Sequence, residues 1–233
     1  MKRTGLLTLT VAGLALSLAA CGSETPAETV APEASDVPAP AEAAEMAPAD
    51  EMASLSDVLA NPRRTERSAR DAFRHPAETL EFFGLEPGMT VVELWPGGGW
   101  YTDILAPYLA SGGGTLIAAG FDPESSDYAR DRTAEFTATY MDNPEEYGDI
   151  VLSVFSKDSG PIAEAGTADM VVTFRSTHGL INNDLAEKAF ADFFAVLKPG
   201  GVLGVVQHRL PEDADAAREG RSGYVKVSTV TAL

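Results

Sequence analysis

Short apolar runs alternate with segments of helical character from residue 89 onward, and this order limits the fold more than any other feature. The apolar runs, which predict strands, lie at 89–95, 115–121, 149–155, 168–174 and 201–208. The segments that predict helices lie at 100–109, 124–141 and 184–197. Continuous apolar runs are typical of strands covered on both faces, and strands that alternate with helices assemble in parallel. The sequence therefore predicts an α/β fold built on a doubly wound, mostly parallel sheet.

A glycine-rich turn follows the first predicted strand, in the stretch VVELWPGGGWYTDIL at 91–105. In sheets of this kind, ligands bind at the carboxyl ends of the strands. Glycine allows a sharp turn and a close approach of ligand to backbone, and the amino end of the following helix favours an anionic group. The turn is therefore the first candidate for a ligand-binding site.

Two common nucleotide-binding motifs fit this turn poorly. A P-loop has Gly-Lys-Ser or Gly-Lys-Thr after its glycines, whereas Trp100, Tyr101 and Thr102 follow here. A dinucleotide-binding loop has the pattern Gly-x-Gly-x-x-Gly. Gly97 and Gly99 match its first two positions, but Thr102 stands at the third. The residues exclude a P-loop and weigh less strongly against a dinucleotide loop.

A third motif fits the turn better. VVELWPGGGWY resembles motif I of the class I S-adenosylmethionine-dependent methyltransferases, with Glu93 at its acidic position and Gly97 and Gly99 at its second and third glycines. Trp95 stands where that family has its first glycine. The stretches TADMVVTFRSTH at 167–178 and LKPGGVLGVV at 197–206 resemble the family's fourth strand and the turn into its fifth. The chain is also similar to a group of exported bacterial proteins of this superfamily, which share Arg-His-Pro, GGGWYT-like and QHR-like patches.

The resemblance implies that the cofactor is S-adenosylmethionine. The residues that it would place around the cofactor are Glu93, Trp95, Gly97, Gly98, Gly99, Asp122 and Asp158. Asp158 lies about where the family has the aspartate that faces the adenine. Asp122 comes slightly late for the acid that binds the ribose hydroxyls, so it either reaches the ribose or caps the following helix.

The family's sheet normally ends in a helix and a strand hairpin, and the sequence predicts that this chain lacks that hairpin. The sequence given stops at VKVSTVTAL, where the helix would begin. Either the sequence is a fragment or the sheet has an uncovered edge, which is a liability in solution.

Two histidines are the candidate catalytic residues. Methyl transfer needs a positioned nucleophile and often a base whose pKa is near neutral. His178 follows the fourth predicted strand and His208 ends the fifth, so both fall at the carboxyl edge of the sheet. The alternative for each is an ordinary polar residue at the end of a strand. No metal is expected, because the acids after His208 lack the spacing of a known metal site.

The first 53 residues read as an export signal and a tether. Lys2 and Arg3 precede an apolar run at 6–18, and Leu-Ala-Ala-Cys at 18–21 matches the lipobox of bacterial lipoproteins. We therefore predict a signal peptide at 1–20, lipidation of Cys21, a disordered Ala/Pro/Glu-rich tether at 21–53 and a folded domain at 54–233. The alternative is an ordinary secretory signal cleaved after Ala20. The protein would be exported and anchored by lipid to a bacterial membrane, facing the periplasm.

The charge of the chain is strongly acidic, with one basic segment. The formal net charge is −18, which disfavours nucleic acid as a partner. Against this background, five arginines cluster on a predicted helix that ends before Pro76, and a second helix is predicted at 77–83 within the helical segment 54–84. The five are Arg63, Arg64, Arg67, Arg70 and Arg74. They either bind an acidic partner or belong to a cationic helix docked on the acidic domain.

Three functions are compatible with these features. The first is an exported S-adenosylmethionine-dependent methyltransferase acting on a small molecule or an envelope component. The second is a non-catalytic ligand-binding or scaffold module that reuses the same fold, since a fold does not fix a function. The third is an envelope interaction protein acting through its Arg-rich segment. The cofactor is made in the cytoplasm, and this weighs against the first.

Overall fold

The computed structural model describes residues 52–233. The predicted signal peptide, the lipidation of Cys21 and nearly all of the predicted tether lie outside these residues and stay predictions. None of the helices in 52–233 combines the length and the apolar character that a membrane span requires.

Five strands form a single parallel sheet with the order β3-β2-β1-β4-β5. The strands are β1 (Thr90–Leu94), β2 (Thr115–Gly120), β3 (Ile150–Val154), β4 (Ala168–Phe174) and β5 (Leu197–Val206). Val92 at the centre pairs with Ile117 of β2 and with Val171 of β4. The predicted doubly wound α/β fold is confirmed, and the chain crosses from one side of β1 to the other between β3 and β4.

Helices cover both faces of the sheet, because successive residues of each strand point to opposite sides. The helices are α1 (Leu55–Leu59), α2 (Asp71–Arg74), α3 (Pro76–Phe83), α4 (Thr102–Ser111), α5 (Asp127–Phe136), α6 (Pro144–Tyr147), α7 (Thr177–Asn182), α8 (Ala186–Val196) and α9 (Val227–Ala232). Val91 lies in a core with Leu80 of α3 and Leu105 of α4. Val92 lies in a second core, on the other face, with Phe193 of α8.

The Arg-rich segment is not the single helix that the sequence predicted. It consists of two 3-10 turns, Pro62–Arg64 and Ser68–Arg70, followed by the four-residue helix α2. The first turn directs Arg64 inward, where it is 1% exposed and pairs with Asp71 at 2.9 Å. The segment thus consists of short turns joined by a partly buried ion pair, in place of the continuous helix that the spacing suggested. The second predicted helix is confirmed as α3, closed by Gly84 in the left-handed conformation at φ +77°.

The segment after β5 folds back without adding a strand to the sheet within residues 52–233. It makes an isolated parallel bridge between Arg209 and Val225 and ends in α9. Leu210 and Val225 are buried there. This segment holds the end of β5, and therefore His208, beside the carboxyl edge of the sheet.

Candidate functional site

The loop from β1 to α4, residues 95–101, turns sharply at the carboxyl edge of the sheet. The backbone N–H of Trp95 donates to the carbonyl of Ala119 at 2.8 Å, which ties the start of the loop to β2. Gly97 and Gly99 have left-handed φ angles of +60° and +73°, which glycine adopts without strain. Trp95 is also left-handed, at φ +49°, and a tryptophan there carries backbone strain. Strain of this kind is typical of functional sites.

Gly99 has no room for a side chain. A Cβ at this position would lie 2.0 Å from Oη of Tyr140, a residue of the π-helical turn Thr137–Met141 that follows α5. Oη of Tyr140 lies 2.9 Å from the carbonyl oxygen of Gly99 and 2.7 Å from Oδ1 of Asp103. Its one proton can serve one of these acceptors at a time. The third glycine is thus required by packing under the loop.

A polar cluster of the partly exposed Arg67 and the buried Asp103 and Tyr140 holds the loop from below. Nη1 of Arg67 donates to the carbonyl of Gly98 at 2.7 Å and lies 3.0 Å from Oδ2 of Asp103. In turn, Nε1 of Trp100 donates to the carbonyl of Arg67 at 3.0 Å. The Arg-rich segment is therefore docked on the glycine loop, so this part of it is engaged within the domain.

Glu93 lies in β1 directly before the loop and is 2% exposed. One carboxylate oxygen accepts a hydrogen bond from Oγ1 of Thr102 at 2.7 Å. Burial raises the pKa of Glu93 to about 7, against the opposing effect of the Thr102 hydrogen bond. The carboxyl group is therefore divided between its two protonation states at neutral pH, and a cation placed beside it would favour the ionised state.

A cleft of about 1020 Å³ opens above Glu93 at the carboxyl edge of the sheet. Its floor is formed by Glu93 and the glycine loop, one wall by residues 66–74, and the other by residues 174–176 and 206–208 after β4 and β5. The cleft lies between β1 and β4, where the strand order reverses, and this is where open α/β sheets bind their ligands. Its volume is that of a small-molecule site.

The structure brings five of the predicted site residues to the lining of this cleft. They are Glu93, Trp95, Gly97, Gly98 and His208. Gly99 is buried beneath them. His178 lies at the start of α7, with Nδ1 3.5 Å from Oε1 of the cleft residue Gln207. Both predicted histidines are thus at or next to the cleft.

The two predicted aspartates do not line the cleft. Oδ1 of Asp122 accepts a hydrogen bond from the backbone N–H of Glu124 at 2.9 Å, within the turn after β2. The helix that follows is capped by Ser126 instead. Asp158 is exposed in a turn after β3. Proposed roles for Asp122 and Asp158 in holding the cofactor therefore stay predictions.

The indole of Trp95 fills space at the ends of three strands. Its ring lies 5.1 Å from that of Phe121 after β2 and 5.9 Å from that of Phe155 after β3. Its Nε1 is buried without a hydrogen-bond partner in residues 52–233. A small pocket of about 30 Å³ lies beside it, with Gly120, Phe121 and Tyr128 among the residues that line it.

Sequence reasoning did not place four of the lining residues in the cleft. They are Arg70, Phe73, Arg74 and Arg175. The arginines of residues 63–74 were recognised as a cluster, but their direction was not. Arg175 follows β4 in the stretch TFRSTH, and its position at a strand end was the signal available. Metal chemistry was not expected, and residues 52–233 contain no grouping of three or more His, Cys, Asp or Glu side chains suited to a metal ion.

No protein-family model and no curated protein matches the sequence. The fold is similar to solved methyltransferases. An arsenic(III) S-adenosylmethionine methyltransferase of Chlamydomonas reinhardtii is 14% identical, with a TM-score of 0.43, over 63% of this chain and 50% of that one. A phosphoethanolamine N-methyltransferase of Haemonchus contortus, solved with S-adenosyl-L-methionine, is 17% identical, with a TM-score of 0.46, over 78% and 43%. A precorrin-6y C5,15-methyltransferase of Geobacter metallireducens is 16% identical, with a TM-score of 0.34, over 56% and 60%. This chain thus covers at most 60% of the length of any of the three.

Proposed function

We propose that this protein is an S-adenosylmethionine-dependent methyltransferase that acts on a small molecule or an envelope component. The observation that carries the proposal is the buried carboxyl group of Glu93 beside the glycine loop, at the floor of a cleft of about 1020 Å³. S-adenosylmethionine bears two positive charges, on its sulfonium and its ammonium group. A carboxyl with a pKa of about 7 is converted to carboxylate by such a cation and then attracts it.

Each residue at the cleft would have its own role in binding or catalysis. The exposed backbone of Gly97 and Gly98 allows a ligand to approach the loop closely, and Glu93 faces the same space from below. When bound, S-adenosylmethionine supplies an electrophilic methyl group. His208 lines the cleft and would take the proton that the methyl acceptor loses, while His178 contacts the neighbouring Gln207.

A second candidate function is favoured by Trp95. In the family that the sequence resembles, the acid after the second strand binds the ribose, so the nucleoside lies near the ends of β1 and β2. Here the indole of Trp95 packs against Phe121 in that region, and Asp122 is bound within its own turn. The cleft is large enough for the cofactor and has Glu93 at its floor. The region at the ends of β1 and β2, however, has room for the nucleoside only if the indole of Trp95 moves. A non-catalytic module that binds another ligand in the same cleft is therefore the alternative.

Calorimetric titration of the full-length chain with S-adenosylmethionine and S-adenosylhomocysteine tests the proposal. Gly98→Arg is the blocking variant, because a Cβ there meets nothing within 4 Å and the arginine would extend into the cleft. Gly160→Arg is the matched control, since Gly160 is also free of contacts and lies outside the cleft. We expect both ligands to bind the wild type and Gly160→Arg, with affinity for Gly98→Arg at least about tenfold lower.

Trp95→Gly separates the two candidate functions. Glycine adopts the left-handed backbone at this position freely and removes the indole from the nucleoside end. Tighter binding of S-adenosylhomocysteine by this variant than by the wild type supports a cofactor site partly filled by Trp95. No binding by either folded protein contradicts the methyltransferase proposal and favours the non-catalytic module.

We also propose that the protein is exported and anchored to a membrane through Cys21, on the basis of residues 1–21. Incorporation of labelled fatty acid in a bacterial host tests this, with Cys21→Ser as the variant. Equal labelling of the two proteins would contradict lipidation at this residue.

A further inference from the structure

Three arginines face the cleft without a carboxylate partner. Arg70, Arg74 and Arg175 all line it, from the Arg-rich segment and from the end of β4. In the described part of the chain, none of the three lies within 4.0 Å of a carboxylate, whereas Arg63, Arg64 and Arg67 of the same segment each have such a pair. The full chain carries 35 Asp and Glu against 17 Lys and Arg. The cleft as a whole is lined by four arginines and two glutamates, Glu66 and Glu93, so its balance of charge is opposite in sign to that of the whole protein.

The three charges are close enough to act on one another. Burial lowers the pKa of the Arg74 guanidinium, and the neighbouring charges of Arg70 and Arg175 lower it further, against a smaller opposing effect of Asp71. Arg74 is held in place over the ring of Trp100, with Cζ 4.3 Å from the ring centroid. Such repulsion disfavours the arrangement unless an anion offsets it.

The backbone at Arg175 is also unfavourable. Its φ angle is +59°, a left-handed conformation that side-chain-bearing residues rarely adopt. Its backbone N–H donates to the carbonyl of Val206 at 2.6 Å, which fixes Arg175 between the ends of β4 and β5. The fold therefore places this guanidinium on the cleft at a cost in backbone strain, as is common at binding sites.

We propose that Arg70, Arg74 and Arg175, the cleft arginines, bind an anionic group of the methyl acceptor, a carboxylate or a phosphate. That the anion belongs to a methyl acceptor rests on the proposed function, whereas the anion site itself does not. Guanidinium groups bind both anions through paired N–H donors. The cofactor is not the ligand that this cluster fits, because S-adenosylmethionine carries a net positive charge and only one carboxylate. Phe73, which is 83% exposed on the same wall, offers apolar surface to the rest of the acceptor.

Binding of matched charged and neutral probes to the full-length chain tests this inference. The probes are benzoate, its neutral counterpart benzamide, and inorganic phosphate, titrated at constant ionic strength with and without saturating S-adenosylhomocysteine. Arg70→Gln and Arg175→Gln are the variants, and Arg218→Gln, an exposed arginine outside the cleft, is the control. Urea denaturation of each variant checks that it folds.

We expect benzoate or phosphate to bind the wild type and Arg218→Gln, with benzamide at least about tenfold weaker than benzoate. Anion binding should fall at least about tenfold in Arg70→Gln and Arg175→Gln, while the affinity for S-adenosylhomocysteine stays unchanged. Anion binding that is absent, or equal in all four proteins, overturns the inference. Anions that compete with S-adenosylhomocysteine, together with a parallel loss of its binding in the variants, also overturn it, because the arginines would then hold the cofactor. If the anion is lost in the two variants but no cofactor binds, the anion site stands and the methyltransferase proposal fails.

Discussion

Replacing Glu93 by Gln should make the protein more stable at alkaline pH and leave its stability at acidic pH nearly unchanged. The glutamine amide has the shape of the protonated carboxyl group, and its oxygen can still accept the hydrogen bond from Oγ1 of Thr102. In the wild type, burial raises the pKa of Glu93 from its ordinary value of 4.5 to about 7. The folded state therefore binds more protons than the unfolded state between these two values. The stability that this contributes is fully present below pH 4.5 and is lost as the pH rises through about 7.

The size of the effect follows from the two pKa values. Each pH unit between them corresponds to about 1.4 kcal/mol of unfolding free energy for one titrating group. Between pH 5 and pH 8 the wild type should thus lose about 2–3 kcal/mol that Glu93→Gln does not lose. This is a large fraction of the stability of an ordinary domain.

Urea denaturation of both proteins at pH 5 and pH 8, followed by tryptophan fluorescence, measures the difference. Glu81→Gln, on the exposed face of α3, is the matched control and should follow the wild type at both pH values. If Glu93→Gln and the wild type lose the same free energy between pH 5 and pH 8, the carboxyl group is not buried in the way that we describe.

Three further outcomes are expected. Gly99→Ala would place a Cβ 2.0 Å from Oη of Tyr140, so urea denaturation should show a loss of about 2–4 kcal/mol. Gly98→Ala, with open space around its Cβ, should lose no more than about 1 kcal/mol, and equal losses would contradict the packing under the loop. Tyr140→Phe should lose about 1–3 kcal/mol because it leaves acceptors of the polar cluster without their donor. Tyr128 is 66% exposed, so Tyr128→Phe should match the wild type by the same assay. Binding of S-adenosylmethionine at pH 7 should release part of a proton from Glu93, seen as a dependence of the calorimetric enthalpy on the buffer, and its absence would place the cofactor's cation elsewhere.

The order of the five strands, and of helices α4, α5 and α8 between them, followed from the sequence because it depends on local patterns. A run such as that at 168–174 is apolar throughout, and Ala168–Phe174 is the strand found. The predicted ends of the helices and strands were less exact where a turn intervenes. The last strand begins at Leu197 and takes in the Lys-Pro-Gly-Gly stretch, four residues before the predicted start. The predicted helix across 124–141 is α5 followed by a π-helical turn, which directs Tyr140 under Gly99.

The sequence by itself determined that the chain forms a parallel α/β sheet and that the glycine loop lies at its carboxyl edge, because local periodicity and composition are sufficient for both. It did not determine which charges are neutralised. Arg67 finds Asp103 and Tyr140 from elements distant along the chain, while Arg70 and Arg175 converge on the cleft without a carboxylate in the described residues. Nor did the sequence determine that the carboxyl group of Glu93 is buried. Burial and charge pairing are set by contacts between distant segments, so only the tertiary structure decided the chemistry of the cleft.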